Sequence, residues 1–373
     1  MTIIEPVKTR KDLRSFVHFP NQLYKGNPYY VPQFESMEMD TLTPGKNAAF
    51  EVCEGKYWLA KDLDGNVVGR VAAIINHRYN EKISKKICRF GWLDFIDSQD
   101  VVDSLMAAVR DYASDKGMEM LEGPVGFLEF DISGILVDGF DKLPTAYGKY
   151  NFPYYEQRIL QSGFSRGNDY VEYLIEVPED LSRYSKYAEL VEERYDIHEG
   201  KYRNKKEILT KYADGIFEVL NQAYSSLHGF SELSPGQCDD LKRQFFPNLM
   251  TDFFSVIVNA DDEVVGFGVA MPSFSKAMQK AGGKIFPFGW FHILKALRFN
   301  DTVDALLIAI RDDYRSKGVN AMIMGKIAQG LQKNRIRYVE STRELEDNFN
   351  VQNLWGKMKH TLIKRARVYT KVI

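Results

Sequence analysis

The chain has 373 residues, of which 45% are apolar and 27% charged, the proportions of a folded globular protein. They argue against long disorder, collagen-like repeats and a multi-span membrane protein. The 49 Lys and Arg against 51 Asp and Glu leave a net charge of −2, so there is no basic surplus with which to hold nucleic acid.

In chain order, Tyr57–Lys61 alternates, Asp64-Gly65 makes a turn and Val67–Asn76 follows, which predicts a β-hairpin. Phe90–Ile96 is a third strand. From Val101 to Tyr112 apolar residues recur at helical spacing, after capping residues Asp97-Ser98 and before Lys116-Gly117. A short strand over Glu119–Glu122 leads into Gly123–Pro153, a long stretch rich in Gly and aromatics; a loop of that length is usually functional. Pro153–Ser162 reads as a helix closed by Gly163, and Tyr170–Val177 as a strand.

The order then repeats. Tyr195–Gly200 is a strand, Lys206–Tyr224 a helix, and Ser234-Pro235 caps a helix to Phe246. Phe253–Val258 and Val264–Met271 form a hairpin, Ala305–Ile310 a buried strand, Val319–Lys333 a helix, Arg337–Ser341 a strand, Val351–Met358 a helix and Leu362–Thr370 a final strand. Two domains are expected, 1–178 and 179–373, with the boundary near Pro178–Tyr184. The fold class is α/β (α+β): in each half a twisted, mixed, mainly antiparallel sheet flanked by helices, with the same strand order in both.

Between Ile310 and Asn320 a buried strand gives way to a polar loop and then to an amphipathic helix. The first N–H groups of a helix have no intrahelical partner and, with the helix dipole, attract anions. Arg315 and Lys317 add positive charge, and Gly318 lets a ligand approach the backbone, so a diphosphate is the natural guest. The plainer alternative is an ordinary helix start with solvated basic residues.

Arg315-Ser316-Lys317-Gly318-Val319-Asn320 resembles the R/Q-x-x-G-x-G/A loop of the GNAT acyltransferase superfamily. The surrounding order of hairpin, strand, loop, helix and strand fits. Asn348-Phe-Asn-Val351-Gln-Asn-Leu-Trp355 is similar to that family's N-x-x-A-x-x-L-Y. The resemblance rests on motifs over residues 195–373. Over 1–178 it rests on element order and on Asn151–Phe164, like the family's helix ending in Gly-Phe. It implies tandem acyl-CoA N-acyltransferase-like domains, with acetyl-CoA or another acyl-CoA as co-substrate. The diphosphate would lie on Ile310, Arg315, Ser316, Lys317, Gly318, Val319 and Asn320, with Asn348 beside it. Two departures stand out: Asn320 replaces Gly or Ala, and Trp355 replaces a Tyr that would protonate the departing thiolate, which an indole cannot do. The corresponding turn of the first half, Phe95–Val101, supplies Asp97 and Asp100 and no Gly, so one CoA site is expected, in the second half.

For a general base the candidates are Glu340, on the strand after the phosphate-loop helix, and His228 in the Ser226–Phe230 loop; a salt-bridged strand residue and a surface histidine are the plainer readings. Lys284–Phe299 is intensely apolar. Phe288, Trp290 and His292 alternate within it and could border an acceptor groove; burial in packing, a homodimer interface and a membrane surface are the alternatives.

Cys53, Cys88 and Cys238 are too few and too scattered for a disulfide framework and point to a reducing, cytoplasmic setting. No apolar run is long enough for a membrane span, and the six histidines are too isolated in sequence to suggest a metal site. The leading expectation is an acyltransferase, an acetyltransferase for preference, acting on a small-molecule or peptide amine. The alternatives are a non-catalytic binding module of the same fold, and a Fem-like aminoacyl transferase, against which the neutral charge weighs.

Overall fold

The computed structural model describes residues 2–356 and 358–373. The first half runs β1 (Ile3–Pro6), α1 (Arg10–Leu23), α2 (Glu35–Thr41), β2 (Cys53–Lys61), β3 (Val67–Asn76), α3 (His77–Ile83), β4 (Ile87–Phe95), α4 (Gln99–Asp115), β5 (Met120–Gly123), β6 (Ile135–Asp138), α5 (Tyr154–Gln161) and β7 (Ser165–Glu176). The second runs α6 (Ser182–Tyr195), β8 (Ile197–Glu199), α7 (Lys205–Lys211), α8 (Ala213–Tyr224), α9 (Pro235–Phe245), β9 (Phe254–Asn259), β10 (Val264–Pro272), α10 (Ser275–Ala281), α11 (Gly289–Arg298), β11 (Thr302–Ile310), α12 (Val319–Lys333), β12 (Tyr338–Ser341), β13 (Glu344–Leu345), α13 (Phe349–Gln352) and β14 (His360–Val372).

Local chemistry accounts for the best-defined boundaries. Thr9 and Asp12 close a capping box on α1, and Ser234 and Gln237 close another on α9 with Pro235 at the first helical position. On α4 the buried Val101, Val102, Leu105, Met106 and Val109 form one stripe against β2 and β3. Each such side chain contributes about 1.5–3 kcal/mol when fully buried.

The strands form one sheet in the order β1-β2-β3-β4-β5-β14-β7-β12-β11-β10-β9-β8. Both halves have the expected strand order, and among the described residues the parallel pairings are β4 with β5 and β11 with β12. The expected pair of separate sheets is replaced by a continuous one. β14 pairs with β5 of the first half, β7 pairs with β12 of the second, and β7 and β14 pair with each other across the centre. Each half thus has its sheet closed by a strand from the other.

A buried charged cluster sits on this central seam. Lys364 on β14 donates to Glu172 on β7 at 2.6 Å and also to Glu340 on β12, while Arg343 reaches Glu172 at 3.2 Å. Burial works against charge on Glu172, but Lys364 and Arg343 outweigh it and hold its carboxyl below the usual range. Burial pushes neighbouring Asp304 well above that range, and the Glu340 carboxylate adds to the shift.

Four sequence expectations shift. The helix read over Lys206–Tyr224 breaks at Tyr212, which ends α7 and opens α8 with its ring packed under Gly200. Helix α6 occupies the stretch read as a boundary, and β6 lies within the long loop. The helix expected over Val351–Met358 is only Phe349–Gln352.

Candidate functional site

The parallel pairing of β11 with β12 covers only Thr302–Ala305 against Tyr338–Ser341. Past Ala305 the strands diverge. A bulge in the β10–β11 pairing leaves Leu306 out of register at the point of splay. A cavity of about 630 Å³ fills the gap, within the range of small-molecule sites. It is lined by Ile310, Arg315, Asn320 and Met324, where β11 passes into α12. An apolar wall is formed by Ile216, Phe217, Leu220, Leu241, Phe245 and Leu249 of the second half, and α8 runs beside the same turn, where the Arg315 guanidinium meets the Ala223 carbonyl at 3.5 Å. The loop after β5 closes the cavity with Glu129, Phe130 and Asp131.

Gly318 is the N-cap of α12, at φ +77°. Only glycine adopts that angle without strain, and a Cβ there would come within 2.6 Å of Val191 on α6. Among the described residues no hydrogen bond uses the N–H of Ser316, Gly318, Val319 or Asn320. Arg315 is ion-paired with Asp312 at 2.7 Å and lines the cavity, and Lys317 stands over the Tyr314 ring at 4.0 Å. Unpaired N–H groups at a helix start beside an arginine fit a diphosphate, and the apolar cleft between β11 and β12 fits a pantetheine arm.

Of the residues singled out from sequence, Ile310, Arg315, Asn320 and Asn348 line the cavity, and Trp355 does as well. Ser316, Lys317, Gly318 and Val319 belong to the same turn without lining it, and Val319 is fully buried. Glu340 does not line it either: its neighbours Val339 and Ser341 do, while its carboxylate is bound to Lys364. Burial raises the Glu340 pKa, with Lys364 opposing the shift. His228 points into the first half, where Nε2 meets Glu122 at 2.7 Å, and that hydrogen bond raises its pKa. Phe288, Trp290 and His292 are also outside the lining. They do not alternate as on a strand: Phe288 caps α11, the other two lie on it, and Phe288 and Trp290 face solvent.

The cavity holds three carboxyl groups that sequence reasoning did not single out. Burial pushes Glu129 up to about 7, against the pull of Arg89 and a 3.2 Å hydrogen bond from Tyr170. Burial likewise pushes Asp131 up to about 6, although it accepts from the Leu128 N–H at 3.0 Å, and Glu344 up to about 8. The signal for Glu129 and Asp131 was their place in the long Gly- and aromatic-rich loop. Nothing local marks Glu344.

No protein-family model matches the chain. Among curated proteins it is 25% identical to the Escherichia coli protein YghO, over 100% of this chain and 95% of that one. It is 26% identical to a protein of Caulobacter vibrioides named bacterial ceramide synthase, over 99% and 97%. Among solved structures, a tandem GNAT protein from the clavulanic acid biosynthesis pathway superposes with a TM-score of 0.55 at 12% identity, covering 100% of this chain and 98% of that one. A GCN5-related N-acetyltransferase from Sphaerobacter thermophilus gives 0.51 at 10% identity, covering 100% and 95%. By the first of these superpositions, over its whole length, the chain has the tandem GNAT fold.

Proposed function

We propose that the protein is an acyl-CoA-dependent N-acyltransferase whose acceptor is an amine carrying a long hydrocarbon chain. The observation that carries the reading is the cavity, whose lining brings together the turn before α12, a largely apolar wall and an ionisable carboxyl group tuned near neutrality. The relative named bacterial ceramide synthase supports the same acceptor class, since a ceramide is the amide of a long-chain amino alcohol. A polar metabolite would leave the cavity's apolar wall in contact with water.

The diphosphate of the CoA thioester would lie on the N–H groups of Ser316–Asn320 and on Arg315, with Asn348 beside the arm. The main chain of β11 past Ala305 has no strand partner on that side, so an N–H there would polarise the thioester carbonyl. Glu129 is the base: it takes the proton from the amine as the N–C bond forms and the C–S bond breaks. Trp355 lines the cleft but has no acidic proton to give. Tyr224, whose hydroxyl donates to the Ile308 carbonyl at 3.4 Å, stands beside the splayed strand and can return a proton to the thiolate. We place the cofactor in 179–373 and assign 1–178 the supply of the base and the loop that roofs the acceptor.

The test is incubation with acetyl-CoA or palmitoyl-CoA and either sphinganine or a short polar amine, with amide products read by mass spectrometry. Amide formed only from the long-chain amine is the expected result. Turnover on the polar amine alone would overturn the acceptor, and absence of amide with either thioester would overturn the chemistry.

A further inference from the structure

The segment that sequence reasoning assigned to an acceptor groove faces outward. Phe286 and Phe288 are 77% and 72% exposed, and Trp290, Phe291, Leu294 and Phe299 are also exposed. They form the outer surface of α11 and its two flanks. The inner face of the same helix, Ile293, Ala296 and Leu297, packs into a cluster with Phe245, Val269 and Leu306, which are walls of the cavity. Helix α11 is therefore apolar on both sides, which water alone does not favour.

Its charge is one-sided. From Ser273 to Asn300 there are five basic residues and no acidic one. Lys276, Lys280, Lys284, Lys295 and Arg298 are all exposed, and among the described residues none is in an ion pair. Exposed aromatic rings ringed by unpaired lysines match a surface that is apolar beneath and negative above. A two-fold contact of this face with its own copy offers no such match, because it would bring five like charges against five.

We infer that α10 and α11 seat the protein on an anionic lipid bilayer, with Phe286, Phe288, Trp290, Phe291 and Leu294 in the boundary between headgroups and acyl chains. No helix among the described residues is long and apolar enough to cross the membrane, so the contact lies in the plane of the interface. It places the cavity wall one helix thickness from the lipid.

The experiment is co-sedimentation of the full chain with vesicles of phosphatidylcholine alone or mixed with phosphatidylglycerol, at low and high salt. The expected result is binding to the mixed vesicles that weakens with salt. Phe288→Ser with Phe291→Glu, and separately Lys295→Glu with Arg298→Glu, should each lower it about tenfold or more. A thermal unfolding midpoint and circular dichroism spectrum like those of the wild type show that the variants fold. Equal sedimentation of wild type and both variants overturns the inference, and so does a wild-type dimer on gel filtration that the same substitutions split while vesicles are left unbound. The readout involves no turnover, so it stands or falls apart from the proposed chemistry.

Discussion

The crevice after β4 and the crevice after β11 occupy the same place in the two halves, and only one is open. In the first half the chain after β5 folds straight back into the gap: the Val125 N–H donates to the Phe90 carbonyl at 2.8 Å. Gly91 and Gly123 permit that approach, since a Cβ on Gly123 would lie 2.2 Å from the Phe90 oxygen. Behind it Asp94 is held by Arg70, Lys149 and the Tyr24 hydroxyl, and the Tyr155 ring stacks on Phe95 at 4.3 Å. At the start of α4 the Gln99 side chain donates to Ser162 and to the Arg158 carbonyl, and Asp97 pairs with Arg158. In the second half the equivalent gap is the cavity, and the equivalent helix start carries Gly318 with Arg315 and Lys317 in place of the carboxylates Asp97 and Asp100. One scaffold thus yields a plugged cleft and an open one, and the difference lies in whether the following loop fills its own half or reaches into the other. The loop after β5 does both: residues around Val125 plug the first cleft, and Glu129 a few positions on enters the second.

Making the second cleft resemble the first should have the largest effect. Ala305→Trp fills the splay, and CoA affinity by calorimetry should fall at least about a hundredfold with thermal stability retained. Glu129→Gln removes what the first half lends to the second. Turnover should drop about 10²–10⁴-fold, and the wild-type rise in kcat/KM through pH 7, as a carboxyl near 7 loses its proton, should vanish. Opening the first cleft tests the converse: Phe90→Ala should cost about 3–5 kcal/mol in chemical denaturation and create no second CoA site. Arg315→Ala should weaken CoA by about tenfold, the worth of a charge-assisted contact, with no change in Tm. The smallest effect concerns the open cleft's desolvation. Glu344 has its carboxyl raised from 4.5 to about 8, so its contribution to stability is present below about pH 4.5 and is lost as pH rises through 8. Glu344→Gln should therefore show a Tm a few degrees above wild type at pH 8.5 and unchanged at pH 4.

Much of this organisation was legible because it is local. The Ser98–Lys116 helix, the two hairpins, the Ser234 cap and the start of α12 at Val319 follow from capping residues and periodicity within one segment. So does the turn before α12, whose glycine, arginine and buried strand are contiguous. What was not legible depends on partners far away in the chain. β7 and β14 alternate as strands whichever half they join, so their exchange leaves no mark on their sequences. Glu340 reads as a catalytic carboxylate on a strand until Lys364 is seen beside it. The Phe288–His292 stretch reads equally as alternating or helical because nearly every position is apolar, and only packing on the cavity wall decides which side faces in.

The exchange of β7 and β14 also bears on how the chain reaches its native state. Glu172 and Lys364, partners at the centre of the sheet, are 192 positions apart, and neither half can complete its sheet until both strands are in place. Local hairpins and helices can form early, but the seam requires closure of a very long loop, which slows the final step and leaves two raw sheet edges waiting in the meantime. Until that step, β5 and β12 are open templates for another chain's β14 or β7, so the same exchange made between two molecules is the natural misfolding product.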